Sequence, residues 1–253
     1  MERVDFSPLL FIHGLCHGAW CWHEHFIPHF ESLGYDCHTL NLSGHEVAGR
    51  SASNNHLKLS VYVKDVENAI STFDTQPILV GHSMGGFIVQ LYLKNCRLPT
   101  KAILMASVPP SGALASSLRV IKIRPGAIKY LLNRDLLGFA QAYPQFMFRA
   151  DIDSHALSYY KSMLCSESFV AYLQMLFPIA IKKSTAAHHN LLVMGGSKDQ
   201  LFTLREFEYT ARKYAADLEI IPDAAHDLML EPNWKYIAKI IHYWINKLDT
   251  ITE

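Results

Sequence analysis

Six apolar runs of strand length, separated by segments of helical period, restrict most strongly the fold open to this chain. They are PLLFIH (8–13), DCHTLNL (36–42), PILVGH (77–82), AILMAS (102–107), LLVMGG (191–196) and DLEIIP (217–222). Their hydrophobicity is continuous rather than alternating, the pattern of strands buried on both faces. Between them VYVKDVENAISTF, FIVQLYLKNC and TLREFEYTARKYA place apolar residues three and four apart, and NWKYIAKIIHYWINKL closes the chain in the same way. Strand and helix in alternation predict an α/β fold, a mostly parallel sheet of about six strands with helices on both faces.

The alternation lapses between Pro109-Pro110 and Asn190, where ALASSLRVIKI, LNRDLLGFAQAY and SFVAYLQMLF read as helices and no strand is evident. The flanks VPPSG and KKSTAAHHN carry the turn and polar residues with which a chain leaves and re-enters a core. Residues 1–109 and 189–253 are therefore assigned to one core, and 110–188 to a helical insertion. Lys and Arg number 23 and Asp and Glu 23, which offers no basic field to nucleic acid. No apolar run reaches the ~20 residues of a membrane span. The start, MERVDFSPLLF, enters a strand without a leader, and five cysteines lack paired spacing, so reduced thiols and a cytoplasmic protein are expected. A homodimer is left open.

Gly81-His82-Ser83-Met84-Gly85 stands where a buried strand gives way to a helix. A strand that turns abruptly into a helix strains the central residue, and side chains two positions either side would collide with neighbouring backbone, so glycine is needed at both. The turn lifts the Ser83 hydroxyl clear of the sheet, at a helix N-terminus that favours developing negative charge. Ser83 is the expected nucleophile. On such a scaffold the acid and then the histidine follow on loops after later strands. LLVMGGSKDQLF delivers Asp199 and DLEIIPDAAHDLMLEP delivers His226. Asp223 and Asp227 flank His226 and are poorly placed to reach its ring, while Asp217 opens a strand at the wrong end.

FIHGLCHGAWCWHEHFIPHF (11–30) crowds histidines after the first strand. His13-x-x-x-His17 and His23-x-His25 have metal-chelating spacings, but Gly14 and Gly18 oppose a helix through the first pair and no carboxylate set accompanies them. The alternative is a loop whose backbone closes on the nucleophile. Gly14 permits that approach, and the N–H groups of Leu15 and Met84 are the expected oxyanion donors. His13 then braces the loop and His17 lines its mouth, while His23, His25 and His29 sit on a solvent-contacting helix. His17, His82, Phe146 and Tyr160 are expected to touch substrate.

Together HGLCHGAWCW, GHSMGG, GGSKDQLF and DAAHDLMLEP resemble the α/β-hydrolase superfamily, and HGLCHGAWCW especially its branch of small plant esterases and hydroxynitrile lyases. The resemblance runs from near residue 8 to the last helix and does not extend to 110–188. It implies a Ser83–Asp199–His226 triad, oxyanion donors at Leu15 and Met84, a helical cap and no cofactor. The lyases of that branch typically carry threonine after the first-strand histidine and lysine after the catalytic one; Gly14 and Asp227 stand here instead and favour hydrolysis. NLSGHEVAGRS (41–51) departs from the D-x-P-G-x-G common in the superfamily. The expected substrate is a small-molecule ester, with a lipophilic part suggested by the many aromatic residues of 110–188. Lyase, cofactor-free perhydrolase and ligand-receptor roles are the alternatives.

Overall fold

The computed structural model describes residues 7–45, 56–181 and 189–249. Six parallel strands form one sheet: β1 (Leu9–Ile12), β2 (Cys37–Leu40), β3 (Ile78–His82), β4 (Lys101–Met105), β5 (Asn190–Gly196) and β6 (Asp217–Ile221). They lie in the order β2-β1-β3-β4-β5-β6. All six coincide with the apolar runs. Every residue of β1 and β3 is buried, as a strand covered on both faces must be, whereas the edge strands β2 and β6 keep partly exposed positions.

The helices that alternate with the strands are α1 (Trp20–His23), α2 (Phe26–Ser32), α3 (Leu59–Ile70), α4 (Met84–Asn95) and α10 (Leu204–Tyr214), and α11 (Trp234–Asp249) follows the last strand. α10 shows how local sequence sets a boundary. The Thr203 hydroxyl accepts from the Glu206 N–H while the Glu206 carboxylate accepts from the Thr203 N–H, satisfying donors that the helix itself leaves open. The helix stops at Ala215, whose backbone is left-handed.

Between β4 and β5 come α5 (Leu114–Ile123), α6 (Ile128–Leu132), α7 (Leu136–Ala142), α8 (Ser154–Met163) and α9 (Phe169–Met175), with no strand among the described residues. The flank KKSTAAHHN lies largely outside the described residues, as do the start MERVDF and the later part of NLSGHEVAGRS. In the described part of that loop, Asn41 Oδ1 accepts the Ala19 N–H at 2.7 Å, and Ser43 donates its N–H and hydroxyl to Asp65 at 2.8 and 2.9 Å. Asn41 and Ser43 thus hold the loop by side-chain bonds. Among the described residues no helix is long and apolar enough to cross a membrane. All five cysteines are free.

Sheet order determines where a site can form. The chain leaves β1 toward β2 and returns on the other side at β3, so the carboxyl ends of β1 and β3 border the crevice where the order reverses. Close contact between the end of β1 and the start of α4, which follows β3, depends on Gly85, where an added Cβ would lie 2.4 Å from the Ile12 carbonyl oxygen and 2.5 Å from that of His13. Both obstacles are backbone. Gly85→Ala is therefore expected to destabilise the protein by about 1–3 kcal/mol, typical of overpacking, measured as a lower urea midpoint at unchanged slope.

Candidate active site

Ser83 follows β3 and caps α4 with φ +51° and ψ −114°, a region costly for any residue bearing a Cβ. Its surroundings hold it there. The Ser83 N–H donates to the Met105 carbonyl at 3.0 Å, and the Ser83 carbonyl accepts from Phe87 and Val108, each at 3.2 Å. An added Cβ at Gly81 would meet backbone of Gly85 and Gly86 at 2.8 Å. Both glycines of the elbow are therefore required by backbone proximity.

The loops after β5 and β6 bring two further side chains to this hydroxyl. His226 Nε2 lies 3.0 Å from Ser83 Oγ, and its Nδ1–H donates to Asp199 Oδ2 at 2.8 Å. The other Asp199 oxygen accepts the N–H groups of Leu201 and Phe202 at 2.8 and 3.0 Å, fixing the carboxylate. The loop after β1 approaches from the opposite side. A Cβ on Gly14 would stand 3.0 Å from the Ser83 Cβ, so glycine there admits the turn leading into Leu15. Met84 opens α4, so its N–H has no carbonyl one turn back within the helix.

His13 is wholly buried; one ring nitrogen pairs with the Gly14 carbonyl at 2.9 Å and the other accepts the Leu42 N–H at 3.2 Å. It ties the loop after β1 to the loop after β2. His17 faces the Leu15 carbonyl with Nδ1 at 2.9 Å and Asp227 Oδ2 with Nε2 at 3.0 Å. His23 is exposed, whereas His25 and His29 are half-buried against α11, the His25 ring stacked on Trp234 with centroids 4.8 Å apart. These two are packing residues more than solvent-facing ones.

Sequence reasoning missed the role of Asp227. Its carboxylate is 1% exposed, pairs with His17 and lies 3.5 Å from His82 Nε2. Burial pushes its pKa up, but the surrounding His17, His82 and His226 more than offset this and hold it below the usual carboxylate range. Burial drives His82 down to about 3, so its ring is neutral and Nε2–H donates to the His226 carbonyl at 3.1 Å. For His226, burial lowers the pKa while Asp199 and then Asp227 raise it, leaving it above the ordinary value. The signal was the adjacent His226-Asp227 pair, but only the turn geometry shows that the carboxylate points toward His17. Under the same loop Glu231 accepts the Ala225 N–H at 2.6 Å, and burial pushes its carboxyl up to about 7.

Among the described residues, His82, His226 and Asp227 are the one set of three metal-type ligands whose donor atoms converge, all within 4.8 Å. They do not fit an ion well, because both ring nitrogens of His226 are engaged by Asp199 and Ser83. Neither histidine pair singled out from spacing, His13 with His17 or His23 with His25, contributes a residue to that set.

Two cavities meet at Ser83. The larger, about 120 Å³, is lined almost wholly by apolar side chains of α5, α6, α7 and α9, including Val120, Leu131, Phe139 and Met175. The smaller, about 50 Å³, is lined by Leu15, His17, His82, Phe146, His226 and Asp227 among others. Tyr160 lies elsewhere, in an aromatic row with Trp20 and Phe148 at centroid separations of 5.9 and 5.8 Å. It lines neither cavity.

The insertion is tied to this site at two places. The Met147 carbonyl accepts the N–H groups of His226 and Asp227 at 3.1 and 3.0 Å. Cys16, with φ +62°, receives the Cys165 N–H on its carbonyl at 2.9 Å and gives its own N–H to Glu167 at 3.3 Å. Glu167 also accepts from Tyr62, Ser168 and His45, at 2.8, 2.7 and 2.9 Å.

Comparison with known proteins agrees with this architecture. Methylesterase 4 of Arabidopsis thaliana is 33% identical over 89 residues, covering 34% of this chain and 33% of that protein. Esterase PIR7B of Oryza sativa subsp. japonica is 31% identical over 106 residues, 40% of this chain and 38% of that protein. The chain spans about a third of the length of the curated relatives it matches. Among solved structures, a bromoperoxidase from Bacillus anthracis superposes with TM-score 0.74 at 19% identity, covering 95% of this chain and 92% of that one. The model of the alpha/beta hydrolase family matches residues 9–238. With its parallel sheet, its strained serine turn after β3 and that match across most of its length, the chain belongs to the alpha/beta hydrolase family.

Proposed function

We propose that this protein is a serine hydrolase that cleaves a carboxylic ester of a small, lipophilic substrate through an acyl-enzyme. The observation that carries the reading is the relay from Asp199 through His226 to Ser83, with contacts of 2.8 and 3.0 Å. His226 Nε2 takes the proton as Ser83 Oγ attacks the acyl carbon. The N–H groups of Leu15 and Met84 receive the carbonyl oxygen as it gains charge. His226 returns the proton to the departing alkoxide, and water repeats the sequence on the acyl-enzyme. Nucleophile, base and donors all come from the chain, so the reading calls for no cofactor and no metal.

Similarity to proteins named methylesterase and esterase supports ester hydrolysis. The larger apolar cavity supports a lipophilic group on one side of the reacting carbon, and the smaller cavity a short group on the other. Residues 110–188 act in this reading as a cap, with Phe146, His17 and His82 as substrate contacts. The ionised Asp227 beside His226 opposes stabilisation of a departing cyanide anion, which favours hydrolysis over lyase chemistry. The test is a series of esters of increasing acyl length, together with a fluorophosphonate probe. Turnover of esters and a covalent label on Ser83 are expected; an unlabelled Ser83 in active protein would overturn the assignment.

The pH profile carries a separate expectation. Only neutral His226 acts as base, so kcat/KM rises with pH, and the raised pKa puts the midpoint above the ordinary imidazole value. Asp227→Asn removes a negative charge that favours the imidazolium. The midpoint should move to lower pH with the plateau rate largely kept. An unmoved acid limb would show that Asp227 does not act on His226.

A further inference from the structure

The stretch 111–134 contains five cations, Arg119, Lys122, Arg124, Lys129 and Arg134, and no acidic residue, in a chain whose charges balance overall at 23 and 23. The same stretch exposes large apolar side chains: Leu114 is 51% accessible, Leu118 59%, Ile123 42%, Ile128 46% and Leu132 77%. These two properties share one roof. Ser116, Ser117 and Val120 of α5, and Leu131 of α6, face inward and line the larger cavity beside Ser83. Leu114 and Leu118, one turn apart, project from the solvent-exposed flank of α5 (Leu114–Ile123), and Ile128 and Leu132 from the outer flank of α6 (Ile128–Leu132).

Arg119 is spent on an ion pair with Glu206 at 2.8 Å, which leaves Lys122, Arg124, Lys129 and Arg134 on the outside. Exposed leucines on an enzyme roof, ringed by these four cations against the single carboxylate of Asp135, which is engaged with the Gly138 N–H, match the chemistry of an anionic lipid surface, into which apolar side chains insert while the cations meet headgroups. Charge argues against a second copy as occupant, because a two-fold contact would set these cations against themselves. We propose that the outer face of α5 and α6 docks on anionic lipid bilayers and so places the apolar cavity at the surface where lipophilic esters partition. No span is needed for such docking.

The test is flotation of the full chain with vesicles of phosphatidylcholine containing phosphatidylglycerol, beside vesicles of phosphatidylcholine alone. Binding to the anionic vesicles is expected, weakened by added salt. Lys122→Glu with Lys129→Glu should weaken it at least tenfold, from about fivefold for each cation removed. Leu118→Ser with Leu132→Ser should weaken it at least as much. Both variants change exposed residues outside the hydrogen-bonded site, so hydrolysis of a short soluble ester and the melting temperature should stay at the wild-type level. Absence of binding to either vesicle, equal binding by wild type and both variants, or self-association through this face in place of vesicle binding would each overturn the proposal. Flotation needs no turnover, so its failure is distinct from a failure of the esterase reading.

Discussion

Ser83→Ala is expected to lower kcat/KM for a good ester by about 10⁴- to 10⁶-fold while the protein remains folded. The size follows from how the side chain is used. Its backbone is held by bonds from Met105, Phe87 and Val108 that alanine retains, so the elbow keeps its shape. Only the Oγ that faces His226 at 3.0 Å is lost. Base, acid and oxyanion donors then act on nothing but an unpositioned water. The residue still has to adopt φ +51°, which alanine tolerates no better than serine, so the variant gains no stability from relief of strain. Steady-state kinetics with a matched denaturation curve checks both statements. Wild-type turnover by the alanine variant would remove the nucleophile from the mechanism.

Asp199→Asn is expected to cost about 10⁴-fold in kcat, nearly as much, for a different reason. Asp199 Oδ1 accepts two N–H groups, from Leu201 and Phe202, while Oδ2 accepts the Nδ1–H of His226. An asparagine has one acceptor oxygen. If that oxygen keeps the two loop bonds, its NH₂ faces His226 and the ring must turn its proton to Nε2. The nitrogen facing Ser83 then carries a hydrogen and has lost its capacity as a base. The contrast with Asp227→Asn is diagnostic, since that change is expected to shift the acid limb and preserve the plateau. Rates measured on the high-pH plateau separate the two. An Asp199→Asn enzyme within tenfold of wild type would show that the carboxylate does not set the tautomer.

Much of this site was legible because its parts are local. The strand that ends at His82 and the helix that begins at Met84 are both read from short patterns, and their junction demands Gly81 and Gly85 on steric grounds. Asp199 and His226 were singled out by position, as polar residues just past buried strands. The six strands were equally visible, because a strand covered on both faces has nowhere to place polar side chains. What escaped was contact at long range. Nothing in DAAHDLM indicates that Asp227 turns inward to His17, more than two hundred positions earlier. The aromatic residues of 110–188 divide into cavity lining, such as Phe139, and packing, such as Tyr160, and their shared helical period does not separate them.

The amino-acid sequence alone determined the kind and order of the elements, the strained turn at Ser83, and the loops that bear Asp199 and His226. Those features rest on backbone sterics and burial period, which act over a few residues. The tertiary structure alone decided the charge environment of His226, the grip of Glu167 and Met147 on the site loops, and which face of α5 meets the cavity and which meets solvent. A periodic pattern tells that a face is covered but not by what. The partner is set by where distant loops come to rest, and in this fold they come to rest together at the carboxyl ends of the strands.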